Sequence, residues 1–181
     1  MLGAGFAKAA WYTTKGPTVC ENPWILVGQS DTDYGHDLDN YYRDHVADDF
    51  NLFRQKLIYL LAEETKLLEI VKLIGSDVLP DDQKLIIELG RVIRIGFLQQ
   101  NAFHNDDTYV PLKKQYDMMR IIIFLYDQGL QYVSERKSIQ VLKETQIFEN
   151  IIQMKYDISN DDSSSFDTYS SMIKDVMRRI D

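Results

Sequence analysis

From Leu38 to the C-terminus, apolar residues recur every three or four positions, and no convincing stretch alternates apolar with polar as a half-buried strand would. That period favours helices packed on helices, so the expected fold class is all-α, a helical bundle. The clearest stripe is Phe53, Leu57, Leu60, Leu61, Leu67, Leu68, Val71 and Ile74, closed by Gly75 as a C-terminal stop. Next comes the short acidic connection Ser76-Asp77-Val78-Leu79-Pro80-Asp81-Asp82. There Pro80 suits a helix start, and Asp81 and Asp82 suit its positive end. A second helix carries Leu85, Leu89, Val92, Ile93 and Phe97 down to Gln99-Gln100-Asn101, which makes a prominent antiparallel helical hairpin. A third helix begins near Pro111, with Tyr116, Met119, Ile122, Ile123, Tyr126 and Leu130 on its apolar face. Shorter periodic segments fill about 138 to 155 and 166 to 180, separated by the Ser/Asp-rich loop Ser159 to Ser165.

The first 35 residues differ. Seven of the 13 Gly and Pro residues fall there (Gly3, Gly5, Gly16, Pro17, Pro23, Gly28 and Gly35), so residues 1–35 are read as an irregular arm and 36–181 as the helical domain. The arm's opening lacks a basic region before a sustained apolar stretch and is not read as a secretory signal. The most apolar run, Ile121 to Tyr126, is far too short to cross a bilayer. With 20 Lys and Arg against 28 Asp and Glu, the net charge of −8 argues against nucleic acid as a partner. A single cysteine, Cys20, cannot form an internal bridge, which points to a reducing compartment.

Chemistry-bearing motifs are sparse. There is no GxxxxGK[ST] phosphate loop, and Gly3-Ala4-Gly5 is only a fragment of a dinucleotide fingerprint with no strand before it. Of the three histidines (His36, His45 and His104), only His104 sits in a polar cluster, His104-Asn105-Asp106-Asp107. A metal reading would use His104, Asp106 and Asp107, but turn and cap roles explain the same residues, and no metal is expected. Nothing marks a base beside Cys20. Glu63-Glu64 and Asp48-Asp49 are read as solvated helical faces. Two features remain. The acidic tip Gly75 to Lys84 is either a well-capped hairpin turn or a handle for a partner. The segment Phe97-Leu98-Gln99-Gln100-Asn101-Ala102-Phe103-His104 crowds aromatic, amide and small residues where the helical period stops. Such a set suits the edge and face of a flat heterocycle.

These two features carry a resemblance. Residues 70 to 109, IVKLIGSDVLPDDQKLIIELGRVIRIGFLQQNAFHNDDTY, followed by a KKQYDMM helix start, are similar to the C-terminal helical domain of the catalytic alpha chain (the A subunit) of V/A-type rotary ATPases. The likeness extends in weaker form from about Leu38 to the C-terminus, and FLQQNAFH with DTY resembles bacterial and archaeal members more than the eukaryotic ones. The resemblance implies that Ala102 and Phe103 lie beside the adenine of bound ATP or ADP, with Gln100 and Asn101 as neighbours. It also implies that the acidic tip, like the DELSEED loop of the related F-type beta chain, touches the rotor through Ser76, Asp77, Leu79, Asp81 and Asp82. The implied partners are the rotary ATPase B and D subunits, the latter in the central stalk. Together they belong to a cytoplasmic head, peripheral to the membrane, that couples ATP to proton or sodium transport. No direct membrane insertion is expected. In such an alpha chain the phosphate loop, magnesium ligands and catalytic glutamate belong to an upstream α/β domain, so this chain alone is expected to be inactive, with no catalytic residue of its own. Residues 1 to about 30 do not resemble the family segment expected there. Val110 replaces a frequent Cys, and Ile95-Gly96 replaces frequent acidic residues. Gly96 in mid-helix implies close helix packing. The alternative reading is a stand-alone helical protein-interaction module without nucleotide binding.

Overall fold

The computed structural model describes residues 34 to 180 apart from Ser163, and every regular element among them is helical. They are α1 (Tyr34–His45), α2 (Phe50–Ile74), α3 (Asp81–Val92), a π-helical segment (Ile93–Leu98), α4 (Asn105–Thr108), α5 (Leu112–Ser134), α6 (Ile139–Glu144), α7 (Ile147–Asp157) and α8 (Phe166–Ile180). The first helix starts at Tyr34, so Tyr34 and Gly35 are helical and not part of an irregular arm. The rest of that arm, with Gly3, Gly5 and Cys20, lies outside the described residues.

α5 is the central rod. Met118, Met119, Ile121, Ile122, Ile123 and Leu125 are all buried, a run apolar nearly all round, as a helix enclosed by others requires. It packs against α2, α3, α7 and α8. The expected α5 face is right at Met119, Ile122 and Ile123, whereas Leu130 is exposed.

The hairpin forms from α2 and α3, which pack side by side. On α2 the buried positions are Phe50, Leu57, Leu60, Glu64 and Leu67. Beyond Leu67 the stripe loses its cover: Leu73 and Ile74 are exposed, so the last turn of α2 runs past the core. Gly75 then takes φ +87° and donates its N–H to the Val71 carbonyl at 2.9 Å. A Cβ there would meet nothing within 4 Å, so the backbone conformation is what favours glycine. Pro80 stands before α3, and its carbonyl accepts from the Gln83 and Lys84 amides, with Asp81 and Asp82 in the first turn.

Glu64 corrects the solvated-face reading. It is buried and accepts two short bonds from Arg94, Nε at 2.9 Å and Nη2 at 2.6 Å, against the backbone of Gly90. Its place at the i+4 position from Leu60 puts it on the inward stripe, and the arginine supplies the pairing that a buried carboxylate needs. Asp49 departs only in part: it is half-buried and accepts from the Tyr116 hydroxyl at 2.8 Å, while Asp48 is exposed.

At Val92 the α-helix gives way to the π-helical segment, closed by the Gln99 N–H donating five residues back to the Arg94 carbonyl at 2.8 Å. Gly96 lies inside it against α7: a Cβ would come within 3.1 Å of the Ile152 Cα. The close packing expected at Gly96 is therefore present.

Candidate functional site

The loop after the π-helical segment holds Gln100, Asn101, Ala102 and Phe103 together. Gln100 is half-buried, Asn101 and Ala102 are exposed, and Phe103 is 99% exposed. Local bonds fix the loop. The Asn101 N–H donates to Asp107 Oδ2 at 2.6 Å, and the Phe103 N–H donates to Asn101 Oδ1 at 3.0 Å, an Asx-type turn. The Thr108 hydroxyl lies within bonding distance of the carbonyls of Ala102 (3.0 Å) and His104 (2.7 Å). An aromatic ring thus stands wholly in solvent on a backbone tied at several points. The Asn101 side-chain oxygen is committed to its own loop, so the ring and the Ala102 methyl are the apolar elements offered outward.

His104, Asp106 and Asp107 take separate tasks. His104 caps α4, with Nδ1 accepting from the Asp106 N–H at 3.3 Å, and packs edge-on against Tyr156 at 4.8 Å. The Asp106 carboxylate accepts from the Asn160 N–H at 3.1 Å. Asp107 is 2% exposed and faces Lys155 Nζ at 3.4 Å. Among the described residues no three His, Cys, Asp or Glu side chains converge as metal ligands. His45 stacks on Tyr41 at 4.1 Å, away from this cluster.

Two buried lysines brace the loop from behind. Lys155 Nζ donates to the carbonyls of Ile95 (2.9 Å) and Gln99 (2.6 Å). Lys114 Nζ reaches the carbonyls of Lys155 (3.0 Å) and Ile158 (2.6 Å) and Asn160 Oδ1 (3.1 Å). Burial pulls the Lys114 ammonium below the usual lysine range, opposed by the nearby charges of Asp106 and Asp107. Nothing in the local sequence announces this bracing, because its two lysines lie on α5 and α7.

At the other end of the hairpin, Ser76, Asp77 and Asp82 lie at the surface and Asp81 is half-buried, 3.8 Å from Lys84. Leu79 is only 6% exposed and faces inward, so it supports the turn from below. The apolar side chains left uncovered at this tip are Leu73, Ile74 and Val78. With α3 and the π-helical segment between them, the tip and the Phe103 loop stand about 25 Å apart.

Residues 39–143, which include the hairpin and the Phe103 loop, match the family described as C-terminal domain of V and A type ATP synthase. The chain belongs to that family. It is 46% identical over 127 residues to the V-type ATP synthase alpha chain 2 of Clostridium tetani, covering 70% of this chain and 22% of that protein. It is 40% identical over 153 residues to the V-type ATP synthase alpha chain of Halothermothrix orenii, covering 84% of this chain and 25% of that one. An archaeal relative, the A subunit of the A-type ATP synthase of Methanopyrus kandleri, is 32% identical over 159 residues, which is 88% of this chain and 26% of the relative. This V/A-type domain therefore spans about a quarter of the length of these relatives. Among the described residues no helix is long and apolar enough to cross a membrane.

Proposed function

We propose that this V/A-type domain works as the C-terminal part of a catalytic alpha chain in a rotary ATPase, where Phe103 and Ala102 pack against the adenine of ATP or ADP. The hairpin tip carries the contact with the rotor. The observation that carries the reading is the Phe103 ring, fully exposed on a tied loop. A ring of that size leaves a large apolar area in water, and stacking against a flat base would remove it. Gln100 and Asn101 flank that position.

In this role the chain supplies binding and transmission, and the phosphate loop, magnesium ligands and catalytic glutamate come from another part of the alpha chain. ATP-coupled movement of protons or sodium ions is then the activity of the whole complex, with the B subunit of the head and the D subunit of the central stalk as the partners. The soluble head is the compartment this implies. Surface residues Ser76, Asp77, Val78 and Asp82 form the face offered to the stalk, on a hairpin stiffened by the Glu64–Arg94 pair.

Phe103→Ala tests the reading in the assembled complex. Nucleotide affinity should fall by about 1 to 3 kcal/mol through lost packing area. Unchanged affinity would remove Phe103 from the pocket.

A further inference from the structure

The loop carrying Phe103 stands on a buried charge pair that the nucleotide reading does not use. Lys155, on α7, is 2% exposed, and an ammonium at that depth requires compensating partners. It has the Ile95 and Gln99 carbonyls, at the end of the π-helical segment, and Asp107 Oδ2. A helix end leaves carbonyls without intrahelical donors and carries the negative end of the dipole, so the cation is favourably placed. Asp107 passes the constraint onward. Its Oδ2 accepts the Asn101 N–H, and Asn101 Oδ1 accepts the Phe103 N–H. One unbroken series of polar contacts therefore runs from an ammonium inside the bundle to the backbone of Phe103, the most exposed aromatic ring among the described residues.

We infer that Lys155 and Asp107 are positioning residues for the base site at Phe103, an inference that rests on the nucleotide reading above. Each is 2% exposed, so neither reaches the outer face of the loop, and both act through its backbone. Lys155 fixes where the π-helical segment ends, and Asp107 fixes the direction the chain takes from Asn101. Together they set the height and direction of the ring before a nucleotide arrives, which spares the ordering cost that a loose loop would impose on binding. Lys114 adds a second hold on α4 through the Asp106 carbonyl at 3.2 Å, so two buried ammonium groups contact that short helix.

The test compares variants in the assembled ATPase containing this chain. Lys155→Met and Asp107→Asn should each raise the KM for ATP about fivefold, the scale of one lost net hydrogen bond, with kcat changed less than about twofold. Lys155→Arg, which keeps the charge, should restore most of the affinity. Because the pair acts through the ring, Asp107→Asn combined with Phe103→Ala should bind no more weakly than Phe103→Ala alone. If Phe103→Ala raises KM and the charge variants do not, the positioning role is overturned while the nucleotide reading stands. Multiplying effects of Phe103→Ala and Asp107→Asn would also overturn it, since they would mark independent actions. If Phe103→Ala itself leaves KM unchanged, the nucleotide reading fails and the inference falls with it. Should Lys155→Met not fold, Asp107→Asn, which keeps the side chain's size but loses the charge that strengthens its contacts with Lys155 and the Asn101 amide, supplies the same comparison.

Discussion

Gly90 and Glu64 compete for one space: a Cβ at position 90 would lie 2.3 Å from the Glu64 Cδ. The carboxylate cannot easily retreat, because Arg94 Nη2 holds it at 2.6 Å and its side chain is only 5% exposed. Helix propensity alone would favour alanine at position 90 by about 1 kcal/mol. Overpacking opposes that gain at about 1 to 3 kcal/mol, and breaking the buried pair adds to the cost. Gly90→Ala should therefore lower stability, read as a lower denaturant midpoint with unchanged slope. A higher midpoint would mean that the hairpin yields at this crossing.

Gly96→Ala poses the same contest more mildly. The nearest atom to a new Cβ is the Ile152 Cα at 3.1 Å, a backbone atom of a helix anchored by Lys155. Because α7 would have to move as a unit, the expected result is a net loss of about 1 kcal/mol after the propensity gain. Thermal unfolding of the variant beside the parent chain measures it.

At the hairpin tip, neighbouring apolar residues should behave oppositely. Leu79 is buried and Val78 is 67% exposed. Leu79→Ala should cost about 2 to 5 kcal/mol of stability, as core truncations do. Val78→Ala should leave stability within about 0.5 kcal/mol, the ordinary range for surface changes. In an assembled motor, neutralising Asp77 or Asp82 should shift stalk affinity by up to about 1 kcal/mol, the scale of exposed ion pairs. Equal stability losses at positions 78 and 79 would contradict the inward placement of Leu79.

Tyr116 gives a pH signature. Burial first, and then its bond to Asp49, push its hydroxyl up to about 12. The folded value is raised above the unfolded one, so the contribution to stability is complete below the unfolded value near 10 and is lost as pH rises through about 12. Tyr116→Phe should cost about 0.5 to 1.5 kcal/mol at neutral pH, the worth of one hydrogen bond. The difference from the parent should shrink in strong alkali. Absorbance titration of tyrosinate formation in the two proteins provides the check.

The long helices α2, α3, α5 and α8 were legible in the apolar period, and the hairpin turn was legible in Gly75, Pro80, Asp81 and Asp82, because these features are local; the segment from about 138 to 155 is instead two helices, α6 and α7, parted where Gln146 takes φ +62°. The short α4 was not, since a single turn is too brief to show an apolar period, and the π-helical segment was not, since Ile152 and Lys155 on a distant helix pack and bond against it. Glu64 shows where periodicity misleads through residue type. It falls on the same inward stripe as Leu57, Leu60 and Leu67, yet its charge suggests solvent until Gly90 and Arg94 are seen opposite it. At the candidate site the sequence marked Gln100 to Phe103 through composition. Lys155, the cation beneath them, stands more than 50 residues away and reads as one more surface lysine.

Fluorescence from Phe103→Trp in the assembled complex, with the parent complex subtracted to remove Trp11 and Trp24, tests whether the ring meets the base. A ring beside adenine should show saturable quenching on addition of ATP or ADP, tracking nucleotide occupancy. A tryptophan whose emission ignores saturating nucleotide, in a complex that still turns over ATP, would contradict the placement of Phe103 at the base.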